Sequence, residues 1–295
     1  MTPYERGFLL LCSHLGQPSR APLSPAQLRR LSVRVRQHSP IHDPREMTPA
    51  DLRALGYSQH DADHILSLLE DTPLLERYLS KADDMGYGVL TRVSPGYPGL
   101  LRMRLGTDAP PCLWYSGDPT ILAQPGIGVV GSRDLRPCNA AFARSAGVQI
   151  HRQGFTLISG GARGADRTAQ DACLDIGGKV ICVLPDRLAD HPQNSDVLYL
   201  CEDSFDLPFQ TPRALSRNRV IHALGQCTLV AQCTLGQGGT WDGSTQNLRH
   251  GWSPLCCFDD GSDAAKALQD RGARLIHTDD LSDLKDLSTP EPSFF

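Results

Sequence analysis

The spacing of apolar positions changes character about 80 residues into the chain. Before that point it follows a helical period. Phe8, Leu9, Leu11, Cys12 and Leu15 predict a short amphipathic helix ending near Gly16. Ser24-Pro25-Ala26-Gln27 reads as an N-cap with proline in the first turn, and Leu28 and Leu31 then share one face. Thr48-Pro49-Ala50-Asp51 repeats the start signal with an acid in the first turn, and Gly56 closes that helix. Ser58 caps a longer helix through Ile65, Leu68 and Leu69. Residues 1–80 therefore predict a small helical bundle of the helix-hairpin-helix or SAM-like kind.

Residues 81–125 read as a connector. It holds a short strand from Gly86 to Leu90, a turn at Ser94–Pro98, and an extended piece, Pro110–Asp118, whose Trp114 and Tyr115 are expected to cover a sheet edge. Over residues 126–285 the period becomes that of buried strands separated by helices. Strands are expected at 127–131, 155–159, 179–184, 227–231, 255–258 and 273–276, with a helix over 140–153. The alternation predicts an α/β fold, a Rossmann-like and mostly parallel sheet with helices on both faces. Residues 286–295 form a tail.

In such sheets ligands sit beyond the carboxyl ends of the strands. Four turns fall at that edge: Gly131-Ser132-Arg133, the run Ser159–Asp166, Pro185-Asp186, and Thr234–Trp241. The second turn sets Gly160, Gly161, Ala162 and Gly164 around Arg163. Small residues let a ligand approach the main chain, and a helix starting there directs free N–H groups at an anion. Arg133 and Arg163 add forked donors suited to phosphate. Tight turning alone accounts for one glycine loop. Two in consecutive βα units, each with an arginine, favour phosphate binding. Ser216-Arg217-Asn218-Arg219 opens or continues a helix just before the 227–231 strand and adds two more guanidinium groups.

Composition narrows the choice. The net charge of −4 rules out a bulk positive field, so a polyanion site must be a local cluster. Residues 251–295, with 4 basic and 9 acidic groups, are a poor place for one. Seven arginines against three acids between Arg20 and Arg53 suit a polyanion or an acidic partner, and a solvated charged face equally. Ten scattered cysteines without a CxxC pair read as reduced thiols, which with the absence of a signal-like start gives a cytoplasmic expectation. No apolar stretch approaches membrane-spanning length. His191 and His250 lack metal-ligand spacing, Ser159 and Ser216 lack an identifiable base, and His222 reads as a helix-face residue. No catalytic residue, metal or cofactor is assigned.

Taken in order, these motifs resemble the DprA/Smf family of DNA-processing proteins. Tyr97-Pro98 with Leu100, Pro110-Pro111 and Leu113–Asp118 are similar to its lead-in, and Gly131-Ser132-Arg133 to its first loop. Ser159–Asp166 resembles its most specific signature, and Arg217-Asn218-Arg219-Val220-Ile221 its Arg-Asn-Arg-Ile segment. The resemblance implies an extended Rossmann fold that binds single-stranded DNA and loads a RecA-type recombinase, and a homodimer is expected. The expected DNA- or phosphate-binding set is Gly131, Ser132, Arg133, Ser159, Gly160, Gly161, Arg163, Gly164, Asp166, Arg217, Asn218, Arg219, Gly238, Gly239 and Thr240. Within it Asp166 is expected to orient Arg163 or cap its helix. The loop Gly236–Gly243 also resembles the Gly-Gly-x-Gly-Thr loop of related nucleotide-binding Rossmann domains. That keeps two alternatives open: a nucleotide-binding sensor, and a phosphoribohydrolase of the cytokinin-activating type. The latter places a glutamate where this chain has Gly243, and Asp242, one residue earlier, points about 100° away on a helix.

Overall fold

The computed structural model describes residues 1–38 and 47–289. The chain forms two compact units: Met1–Tyr97 with Thr107–Trp114 and Glu202–Phe205, and Pro98–Gly106 with Tyr115–Cys201 and Asp206–Phe295.

The first unit begins with five helices, α1 (Pro3–Cys12), α2 (Pro25–His38), α3 (Pro49–Ala54), α4 (Gln59–Glu70) and α5 (Thr72–Asp84), and continues in strand β1 (Tyr87–Thr91). The start signals act as expected. The Thr48 hydroxyl accepts from the Asp51 N–H at 3.3 Å while the Asp51 carboxylate accepts from the Thr48 N–H at 2.8 Å, which is a reciprocal capping box. Ser58 caps α4 by accepting from Asp61 N–H at 3.1 Å. The arginine-rich stretch resolves differently along its length. Arg20 is internal: it donates to the carbonyls of Ser13, Leu10 and Leu68 and pairs with Asp71 at 2.9 Å, so it ties α1 to α4. Arg34 lies over the Tyr57 ring, 4.5 Å from its centroid. Arg45 falls outside the described residues. The piece around Trp114 is itself a strand, β2 (Cys112–Ser116), and Trp114 is fully buried in an aromatic cluster with Tyr78 and Phe205.

The second unit carries α6 (Gly99–Leu105), β3 (Gly126–Val130), α7 (Pro137–Arg152), β4 (Thr156–Ser159), α8 (Ala165–Leu174), β5 (Val180–Leu184), β6 (Val197–Glu202), α9 (Thr211–Leu224), β7 (Thr228–Val230), α10 (Gly238–His250), β8 (Leu255–Phe258), α11 (Asp263–Gln269), β9 (Arg274–Ile276) and α12 (Leu284–Leu287). Its strands run parallel in the order β6-β5-β4-β3-β7-β8-β9, with helices on both faces. All of β3, β4, β5 and β7 is buried, which is why those segments read as continuous apolar runs. The six expected strands lie within one residue of their expected bounds. Strand β6 was not expected; it occupies what read as part of a long crossover between β5 and α9. Helix α7 starts three residues earlier than its apolar period suggested, because Pro137 suits the first helical position.

Strand β3 has β4 on one side and β7 on the other. The chain therefore reverses its direction of sheet growth beside β3, and the turns after β3 and β7 flank a crevice at the carboxyl edge.

Candidate functional site

The turns at this switch point are bonded to one another. Ser132 N–H donates to the Gln232 carbonyl at 2.9 Å, and the Ser132 hydroxyl lies 3.3 Å from the same oxygen. The Gln232 side chain accepts from Arg136 N–H at 3.0 Å and donates to the Asp134 carbonyl at 3.0 Å. One glutamine thus braces the turn after β3 against the turn after β7.

The turn between β4 and α8 closes on itself. The Ala165 N–H at the start of α8 donates to the Ser132 carbonyl at 3.1 Å. Gly164 has φ 91°, and a Cβ there would lie 2.6 Å from the Arg133 carbonyl oxygen, so only glycine permits this approach. Asp166 accepts from the N–H groups of Gly160 at 3.0 Å and Ala162 at 3.4 Å. Those two amides face the carboxylate and not the crevice. Burial pushes the Asp166 carboxyl above its ordinary range, against the opposing influence of Arg217 and the two amides. Asp166 was expected to orient Arg163 or cap α8. Instead Arg163 pairs with Asp134 at 2.6 Å, both largely exposed, and Gly164 is the N-cap. Ser159 is buried and accepts from the Gln170 side chain at 2.6 Å.

Helix α9 supplies the facing wall. The Arg217 guanidinium rests on Gly160, where an added Cβ would overlap it. One residue on, Asn218 donates from Nδ2 to the Gly239 carbonyl at 3.0 Å. One turn further, His222 is 1% exposed, and a Cβ at Gly243 would stand 3.2 Å from its Nε2. Burial pushes the His222 imidazole down to about 3, so the ring is neutral near pH 7. Its Nδ1 is sealed from solvent without a hydrogen bond. Arg104 of α6 donates to the Ala223 carbonyl at 3.1 Å and to the Gly225 carbonyl, which satisfies the C-terminal end of α9. Helix α10 starts at Gly238, and its N-cap residue Gln237 makes no side-chain capping bond. Its first-turn amides are thus open to the crevice.

These elements enclose a cavity of about 600 Å³. Of the residues expected at the site, Gly131, Ser132, Arg133, Asp166, Arg217, Asn218, Gly238, Gly239 and Thr240 line it. Ser159, Gly160, Gly161 and Gly164 do not; Gly160 and Gly164 shape the turn beneath. Arg163 is exposed outside the lining, and Arg219 turns back to the Ser216 carbonyl at 2.5 Å. The expected set leaves out Asp134, Phe209, Thr211, Ala214, Leu215, His222 and Gln232, and also Ala162, Thr234 and Gln237, whose turns the sequence does place at this edge. Part of that set was within reach: Ala214, Asn218 and His222 recur at i, i+4 on one helix.

The wall combines a buried guanidinium, an exposed one at Arg133, an uncapped helix N-terminus and a neutral imidazole. Its two carboxylates, Asp134 and Asp166, are bonded to Arg163 and to backbone amides. Asp242, on α10, is exposed and is not among the lining residues. Among the described residues no cluster of His, Cys, Asp and Glu is arranged to hold a metal ion, and no helix is long and apolar enough to cross a membrane.

The family described as DNA recombination-mediator protein A matches residues 88–284. The DNA processing protein DprA of Streptococcus pneumoniae is 31% identical over 188 residues, covering 57% of this chain and 64% of that protein. The chain spans 39 to 64% of the length of the curated relatives it matches. The X-ray structure of the Streptococcus pneumoniae protein superposes with a TM-score of 0.68 at 21% identity, over 88% of this chain and 97% of that one. DNA processing protein A from Helicobacter pylori, solved to describe its single-stranded DNA binding mode, gives a TM-score of 0.57 at 24% identity, over 68% of this chain and 96% of that one. Both likenesses are likenesses of fold.

Proposed function

Since the chain belongs to the DNA recombination-mediator protein A family, we propose that it binds single-stranded DNA non-catalytically, along the rim of the cavity beside β3, in DNA recombination or processing. The observation that carries this reading is the convergence of Arg133, Arg217 and the open N-terminus of α10 on one cavity. A backbone-tracking site needs cationic forks and amide donors along a rim. A hydrolase needs in addition an acid and a base free to move protons, and the buried carboxylate of the wall, Asp166, is held by backbone amides.

In this reading Arg133, Arg163, Arg217 and Arg219 meet phosphates, Arg163 by exchanging Asp134 for the strand. Loading of a RecA-type recombinase and assembly as a homodimer are further parts of the proposal. Pull-down with a recombinase in the presence of DNA tests the first, and light scattering tests the second. The central test is fluorescence anisotropy with a labelled oligodeoxynucleotide. Affinity should fall steeply with salt, the log–log slope being about 0.7 per phosphate contacted on a single strand. Absence of binding at low salt refutes the reading.

A further inference from the structure

The rim described above leaves one feature of the cavity unused. His222 lies in its wall, almost wholly buried, and its ring Nδ1 has no hydrogen-bond partner. A buried polar side chain without a partner is costly, and such a group beside a cavity points to a ligand that completes it. Its protonation follows from its surroundings. The ring is neutral, so one nitrogen carries hydrogen and the other a lone pair. Nδ1 is sealed off without an acceptor nearby, and a bare lone pair there costs less than an orphaned N–H. The hydrogen therefore sits on Nε2, the atom that the missing side chain of Gly243 leaves room for.

The cavity thus presents a donor from His222, the fork of Arg217, the Thr240 hydroxyl and the first amides of the 13-residue helix α10. Of the two carboxylates of the wall, Asp134 is paired with Arg163. The Asp166 carboxylate on the same wall is occupied by the Gly160 and Ala162 amides. The Nδ2 of Asn218 is occupied by the Gly239 carbonyl. An oxygen-rich anion fits such a wall. A phosphodiester inside a strand carries about one negative charge and is tethered on both sides, so it can lie along a rim but turns only two oxygens to a wall. A phosphomonoester has three free oxygens, carries nearly two charges at neutral pH, and leaves its sugar to face outward.

We propose that this cavity is a phosphomonoester site, in which His222 Nε2–H, Arg217 and the α10 N-terminus hold the terminal phosphate of a DNA strand or the phosphate of a free nucleotide. The proposal rests on the single-strand reading and deepens it: the rim takes internal phosphates, and the cavity takes an end.

One oligodeoxynucleotide, prepared with hydroxyl ends, a 5′-phosphate or a 3′-phosphate, is titrated with the full-length protein by anisotropy, with deoxyadenosine 5′-monophosphate as competitor. One phosphorylated end should bind about tenfold tighter than the hydroxyl form, the gain of roughly one further charge-assisted hydrogen bond. The mononucleotide should erase that gain. His222→Leu should remove the preference, whereas His222→Gln, which keeps a neutral donor, should retain part of it. Binding of the mononucleotide with no end preference would assign the site to free nucleotide. Equal affinity for all three ends together with no competition overturns the proposal while leaving the rim reading intact. Failure of the hydroxyl-ended strand to bind at all removes the rim reading instead. The comparison of ends on the unmodified protein decides the matter even if a His222 variant does not fold.

Discussion

Replacing Gly160 by alanine tests the site with a single methyl group. The added carbon would occupy the space of the Arg217 guanidinium, which is the far end of a flexible side chain and can be displaced without moving backbone. The strand and turn should therefore survive while Arg217 leaves its seat. Two costs follow. Asp166 stays buried without the favourable charge influence of Arg217, though two amides still hold it. Removing a whole partner from a buried ion pair costs about 3–5 kcal/mol, so about 2–3 kcal/mol is expected here. The second cost is functional: loss of one charge-assisted phosphate contact is worth about 1.5–3 kcal/mol, roughly a 10- to 100-fold drop in affinity. The salt slope should fall by about 0.7.

The two costs separate by assay. Burial raises the Asp166 carboxyl, and displacement of Arg217 raises it further, so the folded variant takes up its proton at a higher pH than the folded parent. The stability deficit of Gly160→Ala is then largest at neutral pH and shrinks as pH falls through the raised value toward the unfolded one. Chemical denaturation across that range reads the first cost, and salt-dependent anisotropy reads the second. Arg217→Met should reproduce the binding defect, and the double variant should be no worse than either single, since both act through one guanidinium. A folded Gly160→Ala protein with unchanged affinity and slope, or additive defects, refutes the placement of Arg217 at the phosphate.

Other variants address other links. The folded-state value of His222, about 3, lies below its unfolded value of 6.5, so the unfolded chain binds the extra proton and stability falls as pH drops from 6.5 toward 3. His222→Leu should flatten that decline between pH 7 and 5 in thermal melts; an unchanged slope would show that the ring is not buried neutral. Gly147→Ala places a methyl on the Ala169 carbonyl where α7 crosses α8, a backbone contact that cannot yield cheaply, and should cost about 2–3 kcal/mol through overpacking. Its Tm should drop by roughly 5–10 °C, and a drop of less than about 2 °C would show that the helices have room to part. Arg163→Ala removes an exposed pair, so stability should stay within about 0.5 kcal/mol while DNA affinity falls; equal affinity would take Arg163 out of the interface.

The parts of the fold that were legible in the sequence share one property: local pattern and tertiary environment agree. Ile127–Val130 and Val180–Leu184 are apolar on every position because both faces are covered. Thr48 and Ser58 begin helices because capping is settled within four residues. Strand β6 carries a local signal, the apolar run Val197–Cys201, but so short a run inside a long crossover cannot be told by pattern alone from a piece of buried helix, and its pairing with β5 is a long-range fact. Arg20 illustrates the opposite error. A count of arginines treats it as part of a charged face, but the chain folds it onto three carbonyls and a carboxylate.

The same distinction governs the site. Glycine loops advertise amide donors, yet the amides of Gly160, Ala162 and Ala165 are taken up by Asp166 and Ser132. The turns serve first as a frame that lets three segments approach. The facing walls of the cavity stand on α9 and α10, where the sequence signals were weaker. Helix α9 has no clean apolar stripe because it is buried almost all round near its end: Val220, Ile221 and Leu224 fill the core while Arg217, Asn218 and His222 line the cavity. A helix so placed cannot shift without moving both. Arg104, which closes its last carbonyls from α6, therefore acts on the cavity from the far end of the helix. It follows that binding affinity and core stability are coupled through α9. Variants that loosen Val220 or Ile221 should weaken DNA binding in proportion to the motion they allow, while equally destabilising variants in α11 should leave the bound state alone.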